Sequence, residues 1–126
     1  MTLTEFIRGE IAKPFDLATN NCAHFIARWV ADKRDRDLLA VFGGLPIETT
    51  EDLLARHQML RTIMICCRSI GLARTSEPSE GDIATVRCGG RHRCAIRSAN
   101  GWVFLDECGV LFVSPKMVKP LMCWSV

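Results

Sequence analysis

One stretch of this chain, Ala73 to Glu80, does most to limit what it can fold into. It is polar, contains Pro78, and separates two regions whose apolar residues follow different periods. Before it, apolar residues recur every three or four positions, the interval of a helix face; after it they come in short runs bounded by glycine turns, the pattern of strands. Helices first and a meander of antiparallel strands afterwards make an α+β domain, with N-terminal helices packed on a C-terminal antiparallel β-sheet. At 126 residues, 48% hydrophobic and 24% charged, the chain holds one such domain with its own core, and two would not fit. The helical half covers about 1–72 and the β half about 81–126.

In the first segment, Thr2 to about Lys13, Thr2 and Glu5 stand at capping-box spacing, and Leu3, Phe6, Ile7 and Ile11 fall at helical intervals. Pro14 is expected to end that helix. Asn21 is a good N-cap for a second helix from near Cys22, in which Cys22, Phe25, Ile26, Trp29 and Val30 form an apolar stripe suited to lie on a sheet. The run Asp32-Lys33-Arg34-Asp35-Arg36-Asp37 reads as a solvated turn or helix end. After a loop with Gly43-Gly44 and Pro46, Thr49 or Thr50 is expected to cap a third helix reaching about Cys67, with Leu53, His57, Leu60, Met64 and Cys67 on one stripe and His57 packed or edge-facing. Candidate strands are Asp82 to Cys88, His92 to Ser98, Gly101 to Asp106, Val110 to Val113 and Leu121 to Val126, with turns at Gly89-Gly90, Asn100-Gly101 and Cys108-Gly109. By default Trp102, Phe104, Phe112 and Trp124 are core residues, the alternative being that these aromatic C-terminal strands include an interaction surface.

Composition excludes several classes of function. A net charge of +2, from 16 Lys+Arg and 14 Asp+Glu scattered among one another, does not call for nucleic acid or an acidic lipid surface. No run approaches the roughly 18 apolar residues of a membrane span. The start Met1-Thr2-Leu3-Thr4-Glu5-Phe6 lacks a basic region followed by an apolar stretch, so no signal peptide and a cytoplasmic site of synthesis are expected. The seven cysteines are odd in number, and several lie inside apolar runs, so most read as reduced, buried small hydrophobes rather than disulfides. Cys88, His92, Cys94 and Cys108 are the set a structural zinc would draw on, yet the chain has no CxxC pair and adjacent Cys66-Cys67 chelate poorly. No metal and no cofactor are expected.

The most informative single position is Cys22. A cysteine in the first turn of a helix, after an Asn cap, meets unpaired N–H groups and the positive end of the helix dipole, both of which favour thiolate. The same pattern arises when a small apolar residue simply opens a buried helix, and both readings stand on this feature alone. A nucleophile also needs a base. His24 lies roughly 200° around the helix from Cys22 and is poorly placed. His92 opens a strand after Gly89-Gly90-Arg91, where imidazole can be presented to sulfur, accept the thiol proton and pass it to the leaving group. Asp106, on the next strand, is the candidate to orient it. The bland readings are a solvent-facing hairpin histidine between two arginines, and an acid where a strand meets a turn.

Several segments taken in order carry a resemblance: Pro14-Phe15, Asn21-Cys22-Ala23-His24-Phe25-Ile26-Ala27-Arg28-Trp29-Val30, Glu80-Gly81-Asp82-Ile83-Ala84, Asn100-Gly101-Trp102-Val103-Phe104-Leu105 and Cys123-Trp124-Ser125-Val126. Together they resemble a family of small proteins from phage and prophage tail modules, which in turn looks like the NlpC-type, papain-like cysteine peptidases that cut cell-wall peptides. The resemblance implies a papain-like NlpC-type core and a cysteine hydrolase, a peptidase or amidase, with Cys22 as nucleophile, His92 as general base and Asp106 as orienter. It also implies peptidoglycan peptide and phage tail proteins as partners, and a place in the virion. The alternative it leaves is a catalytically degenerate domain that serves tail assembly.

Departures from the family pattern are specific. Counting back from Ala95-Ile96 and Asn100-Gly101, the family's histidine position falls on Arg93, one residue from His92. Because strand side chains alternate, His92 is then expected to turn away from Cys22 unless a bulge near Gly89-Gly90-Arg91 restores the phase. Asp16-Leu17-Ala18 stands where Trp-Gly is common, and Asn21 where Asp is frequent. Locally, Asn21-Cys22-Ala23-His24-Phe25 is also similar to the Asn-Cys-x-His-Phe motif of lecithin retinol acyltransferase-like thiol enzymes. Those enzymes take their histidine from before the cysteine, and no histidine precedes Cys22 here.

Overall fold

A computed structural model describes residues 1–17, 19–42 and 59–126. Helix α1 spans Leu3–Ile11 and α2 spans Cys22–Arg34; a 3₁₀ turn covers Ala40–Phe42, and α3 spans Met59–Ser69. Six strands follow among the described residues: β1 Arg74–Thr75, β2 Ile83–Cys88, β3 Arg91–Ser98, β4 Gly101–Asp106, β5 Gly109–Val113 and β6 Lys119–Trp124. They form one antiparallel sheet in the order β1-β6-β2-β3-β4-β5. The fold is α+β, with three helices and a six-stranded antiparallel sheet among the described residues.

The helix starts form where capping chemistry places them. Thr2 caps α1, its hydroxyl accepting the Glu5 N–H at 3.2 Å, and Asn21 caps α2. Helix α1 stops at Ile11, short of Pro14, and α2 closes on Asp35 in the left-handed region (φ 51°) inside the charged run. Of the expected third helix, the described part is Met59–Ser69. Its expected cap, Thr49 or Thr50, and the stripe residues Leu53 and His57 lie outside the described residues, as does the Gly43-Gly44 and Pro46 loop. The polar stretch from Ala73 to Glu80 is more than a linker, because Arg74 and Thr75 pair with Trp124 and Cys123 as β1.

Two of the three tight turns sit one residue earlier than glycine placement predicts. Gly89 and Gly90 do form the β2–β3 turn, with φ 60° and 77°. In the next hairpin Ser98 pairs with Gly101, so Ala99-Asn100 is the loop and Gly101 already belongs to β4. In the last, Asp106 pairs with Gly109 and Glu107-Cys108 turns. Gly101 is glycine for space: a Cβ there would lie 2.2 Å from the Val113 carbonyl oxygen.

Strand alternation divides the sheet cleanly. Ile83, Cys94, Ile96, Val103, Leu105 and Trp124 share the main core with the apolar stripe of α2, with Phe6 and Ile7 of α1 and with Ile63, Cys66 and Cys67 of α3. Ala84, Val86, Ala95, Trp102, Phe104, Val118 and Cys123 form a second cluster on the other face, where Arg93 and Arg97 lie over the Phe104 and Trp102 rings. Phe112, expected in the core, is outside both clusters and 64% exposed, because it stands on the edge strand β5. Polar ties fix the helices on this frame: the Trp29 indole donates to the Gly81 carbonyl at 2.7 Å, and Arg28 of α2 bridges to buried Glu10 of α1 at 2.6 Å. Asp82 accepts the N–H of Ser79 and of Val126, so the Glu80-Gly81-Asp82 motif anchors the sheet to its surroundings.

Candidate active site

Cys22 is the first residue of α2, 4% exposed, and its sulfur meets β3. Asn21 holds that helix start: its side-chain oxygen accepts from Ala23 N–H at 2.9 Å and His24 N–H at 3.2 Å, and its amide donates to the Leu17 carbonyl at 2.8 Å. His24 completes a capping box, its Nδ1 accepting the Asn21 N–H at 3.2 Å. This is the position its helical phase predicted, turned to the cap rather than to sulfur.

The sulfur of Cys22 is set among donors. The Cys94 N–H donates to it at 3.4 Å, and the Cys94 thiol is close enough to act on its charge. That thiol contact is the largest influence on its acidity and lowers its pKa; burial opposes, while the Cys94 N–H, the Arg93 charge and the N–H of Cys22 itself add to the lowering. The balance brings Cys22 from 9.0 down to about 7. The partner moves the other way: Cys94 is pushed well up by donating to Cys22 and by burial. Burial likewise raises Cys66, to about 11, and Cys67 and Cys123. Cys22 is therefore chemically distinct from the other buried thiols.

His92 sits on the strand face that carries Cys94 and Ile96, the face packed under α2. The β2–β3 pairing keeps one register from Ile83↔Ile96 to Cys88↔Arg91, with no bulge. The expectation that an unbroken register turns His92 away from Cys22 is therefore corrected. Cys22 contacts Cys94, and His92 shares its parity, so the residue that turns away is Arg93. His92 pairs across β2 with Arg87, which pairs in turn with Lys119 of β6, so a row of basic residues crosses that face.

Asp106 goes elsewhere. Its carboxylate accepts from Arg93 Nη1 at 2.8 Å and from the Glu107 N–H, and it has the parity of Trp102 and Phe104, on the face opposite Cys22. The expected role of orienting His92 is corrected by this pairing: the two residues occupy opposite faces of the sheet. Cys88, His92, Cys94 and Cys108 are not gathered either, since Cys88 packs with the second cluster and Cys108 lies exposed in a turn. Among the described residues no group of His, Cys, Asp or Glu has metal-site geometry.

The sequence reading missed two residues of this site. Cys94 is one, although its position two residues from His92 on an alternating strand placed it on the same face. Thr85 is the other: it pairs with Cys94, is fully buried, and its hydroxyl has no hydrogen-bond partner among the described residues.

The cap makes α2 sensitive to acid. Burial first, and then Arg28, lower the His24 pKa below 6.5, with Asp16 opposing. Folding thus favours neutral His24, whose Nδ1 must be unprotonated to accept. Its contribution is full above the unfolded value near 6.5 and is lost as pH falls through the lower folded value. Urea midpoints of wild type and His24→Gln are expected to diverge less at pH 5 than at pH 7.5. Asn21→Ala is expected to cost about 1 kcal/mol or more at neutral pH, because the N-cap acceptor is lost.

No helix among the described residues is long and apolar enough to cross a membrane. Comparison with curated proteins and with solved structures finds no match. One family model, described as Domain of unknown function (DUF6950), matches residues 1–126, and the chain belongs to that family.

Proposed function

We propose that the protein is a cysteine hydrolase, a peptidase or amidase of the NlpC-like class, in which Cys22 attacks the carbonyl carbon of a peptide amide. The observation that carries this reading is the Cys22 sulfur at a capped helix start, accepting a hydrogen bond from the Cys94 N–H and held more acidic than an ordinary thiol. His92, on the same face, is assigned proton transfer: it takes the thiol proton and returns it to the leaving amine. The N–H of Cys22 is not among the donors taken by the Asn21 side chain, and it is the natural donor to the oxyanion. Bacterial cell-wall peptides are the proposed substrates, and Arg87 beside His92, with Lys119 one strand further along the same row, suits their carboxylates. The setting that goes with this is a phage or prophage tail, the protein being made in the cytoplasm and carried in the virion.

One observation favours a second reading, a tail assembly protein that keeps the fold without the chemistry. Asp106 is held by Arg93 instead of orienting a base. As a hydrolase with Cys22 and His92 alone, the protein is expected to keep its activity in Asp106→Asn within about threefold, while the melting temperature falls slightly because a partly buried ion pair is weakened; the assembly reading expects no activity in either protein.

The test is the pH dependence of alkylation at every cysteine of the folded protein, read by peptide mass spectrometry. Cys22 is expected to titrate near pH 7, ahead of Cys66, which burial holds to about 11. His92→Ala is expected to slow Cys22 alone. If Cys22 reacts with the pH profile of the remaining thiols, the hydrolase reading fails.

A further inference from the structure

Cys22 and Cys94 are 72 residues apart in sequence and belong to different elements, yet the Cys94 N–H donates to the Cys22 sulfur at 3.4 Å at the start of α2. Both residues lie in the main core, and this contact brings the Cys22 sulfur against the residue that carries the Cys94 thiol across the α2–β3 packing. Both residues are buried, at 4% and 0% exposure. The remaining cysteines are placed differently. Cys66 and Cys67 are neighbours on one helix, Cys123 and Cys88 lie with the second cluster on the far face, and Cys108 is exposed in a turn.

We propose that Cys22 and Cys94 form a reversible redox pair, which a hydroperoxide closes into an intramolecular disulfide and a dithiol reductant reopens. The chemistry balances in two steps. The Cys22 thiolate attacks the distal oxygen of the hydroperoxide; an S–O bond forms, the O–O bond breaks, and the alcohol, or water from hydrogen peroxide, leaves with a proton. The Cys94 sulfur then attacks the Cys22 sulfur; the S–S bond forms, the S–O bond breaks, and hydroxide leaves as water with the Cys94 proton. Two thiols lose two electrons and one peroxide gains them. Cys94 gives up its proton as its sulfur attacks, and that proton goes to the departing hydroxide. The disulfide removes the nucleophile and shields it from irreversible oxidation. What is switched off rests on the hydrolase reading, whereas the disulfide itself does not.

Hydrogen peroxide added to the folded wild-type protein, followed by alkylation and peptide mapping, tests the pair. The expected product is a Cys22–Cys94 crosslinked peptide that dithiothreitol reverses. In Cys94→Ser the same treatment is expected to drive Cys22 to sulfinic and sulfonic acids, with circular dichroism checking that this variant folds. If it does not fold, the wild-type map decides. Cys22 oxidised beyond sulfenic acid without a crosslink, Cys22 joined to a different cysteine, or Cys22 unmodified at a large peroxide excess would each overturn the proposal. Failure of the hydrolase reading looks different: the disulfide forms and reopens, but no peptide is cut in the reduced state.

Discussion

The Cys22→Ser protein is expected to keep its fold and to lose peptide hydrolysis. The oxygen still accepts the Cys94 N–H, but a hydroxyl without a strong base does not attack an amide at neutral pH, so the loss is expected to be on the order of 10⁴-fold or more in kcat/KM. Alanine removes the acceptor as well. The Cys94 N–H is then left buried without a partner, a cost of about 1–3 kcal/mol, and Cys22→Ala is expected to melt several degrees below Cys22→Ser. Steady-state hydrolysis of cell-wall peptides and thermal melts of both variants separate the two effects. Hydrolysis that survives in Cys22→Ser would remove the nucleophile from the mechanism.

The largest effect on stability is expected at Gly101. A methyl group there meets the Val113 carbonyl oxygen at 2.2 Å, the Val113 carbonyl carbon at 3.2 Å and the Pro115 ring at 3.3 Å. The first of these is backbone and cannot rotate away, so β4 and β5 must separate where Trp102 pairs with Val113. Overpacking of this kind costs about 1–3 kcal/mol, and the displaced Trp102, now 2% exposed, places Gly101→Ala at the upper end or beyond. Gly9 is the control. It lies inside α1, where a Cβ would meet nothing within 4 Å, and Gly9→Ala is expected to stabilise by about 0.5–1 kcal/mol through helix propensity. Urea midpoints at constant m-value measure both. Equal stability of Gly101→Ala and wild type would show that β5 is free to move.

The legible parts of this fold are those written locally. Asn21 before Cys22 marks a helix start, and the spacing of Phe25, Ile26, Trp29 and Val30 marks its buried face, because caps and stripes depend on near neighbours alone. Strands β2 to β5 are legible from alternation and glycine. Long-range pairing is not. Two residues, Arg74 and Thr75, carry no period, so β1 is visible only through its partner β6. The expected last strand runs from Leu121 to Val126, whereas β6 begins at Lys119 and ends at Trp124. At the site, Cys22 is legible from its cap. The phase of His92 is misjudged when it is counted against a family pattern and not against Cys94, the residue Cys22 touches. The attraction between Arg93 and Asp106 crosses from β3 to β4, and nothing in the spacing of the residues announces it.

The position of β6 also governs when the domain can be complete during its own synthesis. Residues 119–124 insert between β1 and β2, two strands made roughly forty residues earlier. Until they emerge, β2 carries an open edge and β1 has nothing to pair with. The nascent chain can gather its helices against β2 to β5, but the sheet closes up only once β6 has left the ribosome, so folding is completed after elongation has passed Trp124 and not along the way.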